Sequence, residues 1–254
     1  MTVAAESRQA CGVDIGGSGV KGAIVDLSDG SLVGERVRID TPQPATTEAV
    51  AATVAQVVKE LGWTGSVGIT LPSVVQAGIA KTAANIDASW VDCDAVALFT
   101  AALDGAKVVV LNDADAAGLA EDKYGAGKDV KGVVILLTFG TGIGSAVLTN
   151  GVLVPNTEFG HLDVDGKEAE HRAASSVKER EELSYKKWCK EVSLVLTKIE
   201  NLMWPDLFVA GGGISKKSEK WIPLLTNRTP IVPAALLNTA GIVGAAMAAD
   251  TIGS

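Results

Sequence analysis

Twice along the 254 residues an apolar run breaks into a glycine-rich turn and resumes as a second apolar run. The first instance is CGVDIGGSGVKGAIVDL, near residue 12, and the second is VVILLTFGTGIGSAVL, near residue 135. Apolar runs on both sides of a short Gly turn predict a hairpin in each place. After the first hairpin come SLVGERVRID as a third strand and a helix over TEAVAATVAQVVKELG with Thr at its N-cap. Strands at SVGITLP and VVVLND follow, then a helix over ADAAGLAEDKYGAG stopped by Gly125 and Gly127. After the second hairpin come an Asn-Gly turn with a short strand and a charged helical stretch over 166–203. DLFVAGGGIS then reads as strand, Gly turn and helix, and TAGIVGAAMAAD as a small-residue helix. A strand–Gly turn–strand unit that recurs in this way predicts two copies of one α/β unit facing each other.

Composition narrows the class. The length suits one large domain or two modest ones and buries a core without staples. Mean hydropathy is +0.28, too apolar for a disordered chain. No apolar run reaches the ~18 residues of a membrane helix. MTVAAESRQA lacks the basic and apolar regions of a secretory signal, so a cytoplasmic location is expected. Cys11, Cys93 and Cys189 are too scattered for a disulfide framework or a metal knuckle. Net charge is −8, which argues against a basic nucleic-acid-binding surface. Residues 1–120 hold 7 Lys and Arg against 14 Asp and Glu, whereas residues 121–254 hold 15 against 16. An anionic ligand therefore finds its cations in the second half.

Several motifs carry chemistry. In DIGGSGVKG the turn Gly16, Gly17, Ser18, Gly19 lets backbone N–H groups approach an anion, and Asp14 stands where a carboxylate holds a metal-bound water. Alone it reads first as a Gly-rich hairpin turn with no ligand. In LTFGTGIGSA the third Gly comes one residue early for a dinucleotide fingerprint and a strand follows instead of a helix. A second phosphate-cradling hairpin fits it better. In VVVLNDADAAG, Asn112 and Asp113 stand at a strand C-terminus ahead of a helix, where α/β sheets place ligands. Asp113 suits a base that accepts a hydroxyl proton during phosphoryl transfer. The other reading is that Asp113 or Asp115 caps the helix. Asn85, Glu158, His161 and Glu170 supply amide, carboxylate and imidazole groups suited to vicinal sugar hydroxyls, while His171 reads as solvated. In LFVAGGGIS, a strand entering Gly211, Gly212 and Gly213 opens room for a nucleotide, or serves tight strand–helix packing.

Taken in order, DIGGSGVKG, TLPSVV, NIDASW, LNDADAAG, LTFGTGIGSA, EFGHL, KEAEHRAAS and VAGGGIS make residues 10–250 resemble the ROK-family sugar kinases. Within that family the chain is similar to the polyphosphate-dependent glucokinases. The resemblance implies an α/β, actin/hexokinase-like (ribonuclease H-like) duplicated fold with a cleft between two lobes. Residues 1–112 would form the N-terminal lobe, with the helix of 239–254 packing back on it, and 113–238 the C-terminal lobe. It implies an enzyme that phosphorylates the glucose 6-hydroxyl, with Asp113 as base and Asn85, Asn112, Glu158, His161 and Glu170 on the sugar. Asp14, Gly16, Gly17, Ser18, Gly19, Lys21, Thr138, Gly140, Thr141 and Gly142 would clasp the donor phosphate, with Mg2+ at Asp14 through water, and Gly211, Gly212 and Gly213 would border the donor channel. Lobe closure would exclude water. Many ROK members carry a Cys-rich zinc motif after the EFGH-like segment; HLDVDGKEAE has no Cys, so no zinc is expected. A homodimer is usual for the family.

The donor is the open point. Polyphosphate needs cations along a groove, for which Lys178, Arg180, Lys186, Lys187, Lys190, Lys216, Lys217 and Lys220 are candidates; each also fits a solvated helix face paired with Glu. The resemblance favours polyphosphate, with ATP as a further or alternative donor and mannose as a further acceptor. A non-catalytic sugar-sensing regulator is the contrasting reading. Only about ten residues precede the first strand, too few for a helix-turn-helix.

Overall fold

The computed structural model describes residues 8–83 and 86–253. It forms two compact units, Met1–Ala116 with Gly241–Ser254, and Ala117–Ala240.

The first unit starts with β1 (Gln9–Gly16), β2 (Gly19–Asp26) and β3 (Leu32–Ile39), an antiparallel meander. Then come α1 (Thr47–Glu60), β4 (Val67–Leu71), a short hairpin of β5 (Val75–Gln76) and β6 (Ile79–Ala80), α2 (Ala95–Ala102), β7 (Val108–Asn112) and α3 (Asp113–Tyr124). The sheet order is β3-β2-β1-β4-β7, with β4 and β7 parallel to β1. All five residues of β4 are buried, as in a parallel strand covered on both faces. α1 packs Val50, Val54, Val57 and Val58 inward at helical spacing. Its cap is Thr46, whose hydroxyl accepts from the Ala49 N–H, so the helix starts at the second Thr of TTEAV.

The second unit repeats the plan. β8 (Val133–Phe139), β9 (Ile143–Thr149) and β10 (Val152–Val154) form an antiparallel meander. β9 and β10 are joined at Asn150 and Gly151, both at positive φ (49° and 82°), as the Asn-Gly hairpin signal requires. β11 (Asp163–Val164) and β12 (Lys167–Glu168) make a small ribbon. After it come α4 (Ala169–Ala173), α5 (Ser175–Arg180), α6 (Tyr185–Met203), β13 (Leu207–Gly211) and β14 (Ile231–Pro233). The sheet order, β10-β9-β8-β13-β14, with β13 and β14 parallel to β8, matches the first sheet strand for strand. Its core holds Phe139, Trp188 and Trp221 in edge-to-face contact, 5.1–6.0 Å apart.

Two expectations are corrected. The charged stretch of 166–203 is a strand and three helices, broken at Ala174 (ψ 150°) and again before Ser184, which caps α6. The segment after β13 is not an α-helix: Gly213–Lys220 runs as 3-10 turns with a non-helical Lys217.

α7 (Ala240–Gly253) belongs to the first unit. Gly12 and Gly68 are paired neighbours on β1 and β4, and a Cβ on either would fall on the α7 backbone at Ile242 or Ala245. The helix backbone thus rests directly on the sheet. Among the described residues no helix is long and apolar enough to cross a membrane.

Candidate active site

The first unit gathers polar groups at the carboxyl ends of its parallel strands. Strand register sets Asp14 beside Thr70, and Leu71 beside Asn112. The Thr70 hydroxyl donates to Asp14 Oδ1 at 2.9 Å, and Lys21, opposite Asp14 on β2, brings its Nζ to 3.4 Å from Oδ2. The turn of Gly16, Gly17, Ser18 and Gly19 is braced from outside: the Thr41 hydroxyl donates to the Gly16 carbonyl and the Arg38 guanidinium to the Ser18 carbonyl, at 2.9 Å. Arg38 was not singled out from the sequence. Its signal is register: β3 places it beside Lys21, and its guanidinium lies against Gly19.

Asn112, not an aspartate, caps α3. Its Oδ1 accepts from the N–H groups of Ala114 (2.8 Å) and Asp115 (3.1 Å), and its Nδ2 donates to the Ser73 carbonyl at 3.1 Å. Asn112 is buried, and among the described residues these bonds leave one N–H of its amide to serve a ligand. Asp113, next in line and half-buried, accepts from the Ala114 N–H at 2.8 Å. Asn85 lies outside the described residues.

In the second unit, register pairs Thr138 with Gly144 and with Gly211, so the β8–β9 turn and the end of β13 meet. The turn Gly140, Thr141, Gly142 is closed by the Gly140 N–H donating to the Gly142 carbonyl at 3.0 Å. Ser175 and Ser176 hydroxyls donate to the carbonyls of Gly140 (3.0 Å) and Thr141 (2.7 Å). Its shape is thus held from the carbonyl side, and among the described residues nothing is recorded as accepting from the Thr141 or Gly142 N–H. Gly212 (φ 82°) touches the Phe139 backbone so closely that a Cβ would collide. Packing, rather than a ligand, accounts for that glycine; Gly213 has open space around its Cβ position.

The sugar candidates of this unit sit on one wall. Ser145 of β9 binds the Thr157 carbonyl at 2.6 Å and accepts from the Phe159 N–H at 3.0 Å, which fixes the turn carrying Glu158 and His161. Glu170 Oε2 accepts from the Ile143 N–H at 3.3 Å, pressed against Gly142, where a side chain would collide with it. α4, which carries Glu170, is anchored by the buried Trp188 indole donating to the Ala173 carbonyl at 3.0 Å. Burial pushes the Glu158 carboxyl up from its ordinary value; nearby His161 pulls it down and nearby Glu170 adds to the rise. Glu168 was missed from the sequence, and His171 is exposed, as its charged surroundings predict. Both imidazoles converge on Glu168, at 3.6 Å (His161) and 3.4 Å (His171), and His171 also reaches 3.9 Å from Glu170. His161, Glu168 and Glu170 offer three ligand atoms within 4.8 Å of one another, a set that could hold a metal and equally one that could grip hydroxyls.

Residues 10–174 match the family model described as ROK family. The chain is 63% identical over 250 residues to a polyphosphate glucokinase of Mycobacterium tuberculosis (strain CDC 1551 / Oshkosh), spanning 98% of this chain and 94% of the relative. It is 51% identical to the crystal structure of an inorganic polyphosphate/ATP-glucomannokinase from Arthrobacter sp. strain KM, with a TM-score of 0.91 over 96% of this chain and 99% of that one. A ROK-family glucokinase from Streptomyces griseus, solved with glucose and AMPPNP, shares the fold at 23% identity, with a TM-score of 0.83 over 96% of this chain and all of that one. This is the actin/hexokinase-like fold of sugar kinases, and the chain belongs to the ROK family.

Proposed function

We propose that the chain is a polyphosphate-dependent glucokinase, transferring the terminal phosphoryl group of inorganic polyphosphate to the 6-hydroxyl of glucose. The observation that carries this reading is the 63% identity over 98% of the chain to a polyphosphate glucokinase. In this assignment Asp113 accepts the proton of the 6-hydroxyl as it attacks. Because Asn112 has taken over the capping of α3, Asp113 can serve the substrate while staying on a rigid helix start. Glu158, His161 and Glu170 grip sugar hydroxyls as acceptors and donors, joined by Asn85 and the remaining N–H of Asn112. The turns at Gly16–Gly19 and Gly140–Gly142, with Thr138 beside the second, present N–H groups to phosphate oxygens. Lys21 and Ser18 add donors, and Gly211–Gly213 border the donor.

Asp14 fits Mg2+. It is a hard oxygen donor, and the long 3.4 Å bond from Lys21 to its Oδ2 leaves lone pairs for water. Mg2+ is commonly held by one or two carboxylates, keeps several waters and binds substrate phosphates. When bound, it would neutralise charge on the phosphate oxygens as transfer proceeds. Asp14 would hold it through water, with Thr70 and Lys21 fixing the carboxylate.

A panel of polyphosphate, ATP and GTP, each with glucose and with mannose, tests the reading. Polyphosphate with glucose should turn over in the presence of Mg2+ and stop on chelation. Turnover with ATP alone would overturn the donor, and no glucose phosphorylation with any donor would overturn the assignment. Mannose is included because the Arthrobacter structure is named a glucomannokinase. A homodimer is part of the proposal, read by light scattering.

A further inference from the structure

α4 carries Glu170 against the glycine turn and Arg172 toward α6. Arg172 donates to the carbonyls of Val164 (2.7 Å) and Asp165 (3.1 Å) and pairs with Glu191 at 3.0 Å. Beside this pair is a cavity of about 390 Å3, with Lys167, Arg172, Lys187 and Lys190 set against Glu181 and Glu191. Among the described residues, Lys167, Lys187 and Lys190 form no ion pair; Glu191 is taken by Arg172, and Glu181 is 3.5 Å from Arg180. The cavity therefore carries uncompensated positive charge in a chain whose net charge is −8.

One of these lysines, Lys187, breaks a local rule. α6 opens with Tyr185, Lys186 and Lys187, and its first turn holds no acidic residue. Cations at a helix N-terminus stand against the positive end of the backbone dipole, which is unfavourable. Residues that oppose local stability without compensation inside the fold mark a functional demand. The wall of the cavity is also part of the phosphate-turn support: Val177, which lines it, follows Ser175 and Ser176, whose hydroxyls hold the Gly140–Thr141 carbonyls.

We propose that this cavity is a second anion site, holding internal units of the polyphosphate chain at a distance from the group being transferred. The inference rests on the polyphosphate reading and adds to it a place for the chain beyond the reacting end. Each internal unit carries an ionised oxygen, and Lys binds phosphate as a point charge on a flexible stem that can follow a repeating chain. Tripolyphosphate and ATP keep only two phosphates beyond the one transferred, far fewer than a long chain brings to such a site.

The test is the K187Q/K190Q enzyme. Steady-state kinetics are run with long-chain polyphosphate, tripolyphosphate and ATP, and fluorescence anisotropy reads binding of end-labelled long chains. The KM and Kd for long chains should rise about tenfold, while the constants for tripolyphosphate, ATP and glucose stay within about twofold. Thermal stability should hold or increase, since one unfavourable charge, that of Lys187, leaves the first turn of α6. An unchanged long-chain Kd, or an equal loss with tripolyphosphate, would overturn the site. Wild-type enzyme that binds long chains through these lysines but transfers from ATP alone would support the site and overturn the donor assignment.

Discussion

An aspartate at the first position of a helix is ordinarily accounted for by the helix itself. Here the cap stands one residue earlier: Asn112 accepts from the Ala114 and Asp115 N–H groups. Asp113→Asn keeps the shape and the neighbouring hydrogen bond while removing the base. It should lower kcat by ~10²–10⁴-fold with glucose binding and fold retained, read by steady-state kinetics and thermal denaturation; wild-type kcat in that variant would refute the assignment. Glu158 gives a second prediction. Its carboxyl is raised in the folded chain chiefly by burial, so the folded state binds its proton more tightly than the unfolded one. Stability therefore declines as pH rises from the ordinary glutamate value to the raised one, and the loss persists above it. Glu158→Gln should gain thermal stability relative to wild type at neutral pH, with the difference vanishing in acid. A constant difference across pH would show that the burial of this carboxyl costs nothing. Cys11 and Cys189, pushed up to about 12 and about 11 by burial, should stay inert to thiol reagents in the native enzyme while Cys93, half-buried, reacts slowly.

Element by element, the chain was legible where local chemistry alone decides. The hairpins, the Asn150–Gly151 turn, α1 and the β7–α3 junction follow from alternation, positive φ and capping. The stretch of 166–203 reads as one charged helical segment because after Gly166 it contains neither Gly nor Pro to break it. The break at Ala174 is imposed from outside, by Ser175 and Ser176 binding the turn of β8 and β9. Ser184 did carry a start signal for α6. Glu168 and Arg38 escaped notice because ribbon and strand register, not spacing, bring them to their neighbours. The glycine-rich composition suggested phosphate turns, yet Gly12, Gly68 and Gly244 serve packing, the last against the Ala116 carbonyl. Gly68→Ala should lift α7 from β4 and cost about 2–3 kcal/mol, or prevent folding, as seen in denaturant titration. A loss below half of that would show that α7 shifts without penalty.

For the whole molecule, charge and duplication set the behaviour. A donor that is a polyanion must approach a chain of net charge −8, and its binding depends on a few local cations. Added KCl should raise the KM for polyphosphate steeply and leave that for glucose nearly constant, because screening acts on the charged partner alone. The two sheets share one strand order, but the units differ in how the chain closes them. The second is continuous from Ala117 to Ala240, whereas the first needs α7, made more than 120 residues after β7 begins. During vectorial synthesis β1 and β4 therefore wait, their glycine-lined face open to water, until the whole second unit has left the ribosome. The half of the protein translated first is the half completed last, and nascent-chain proteolysis should find the first sheet protected only after α7 emerges.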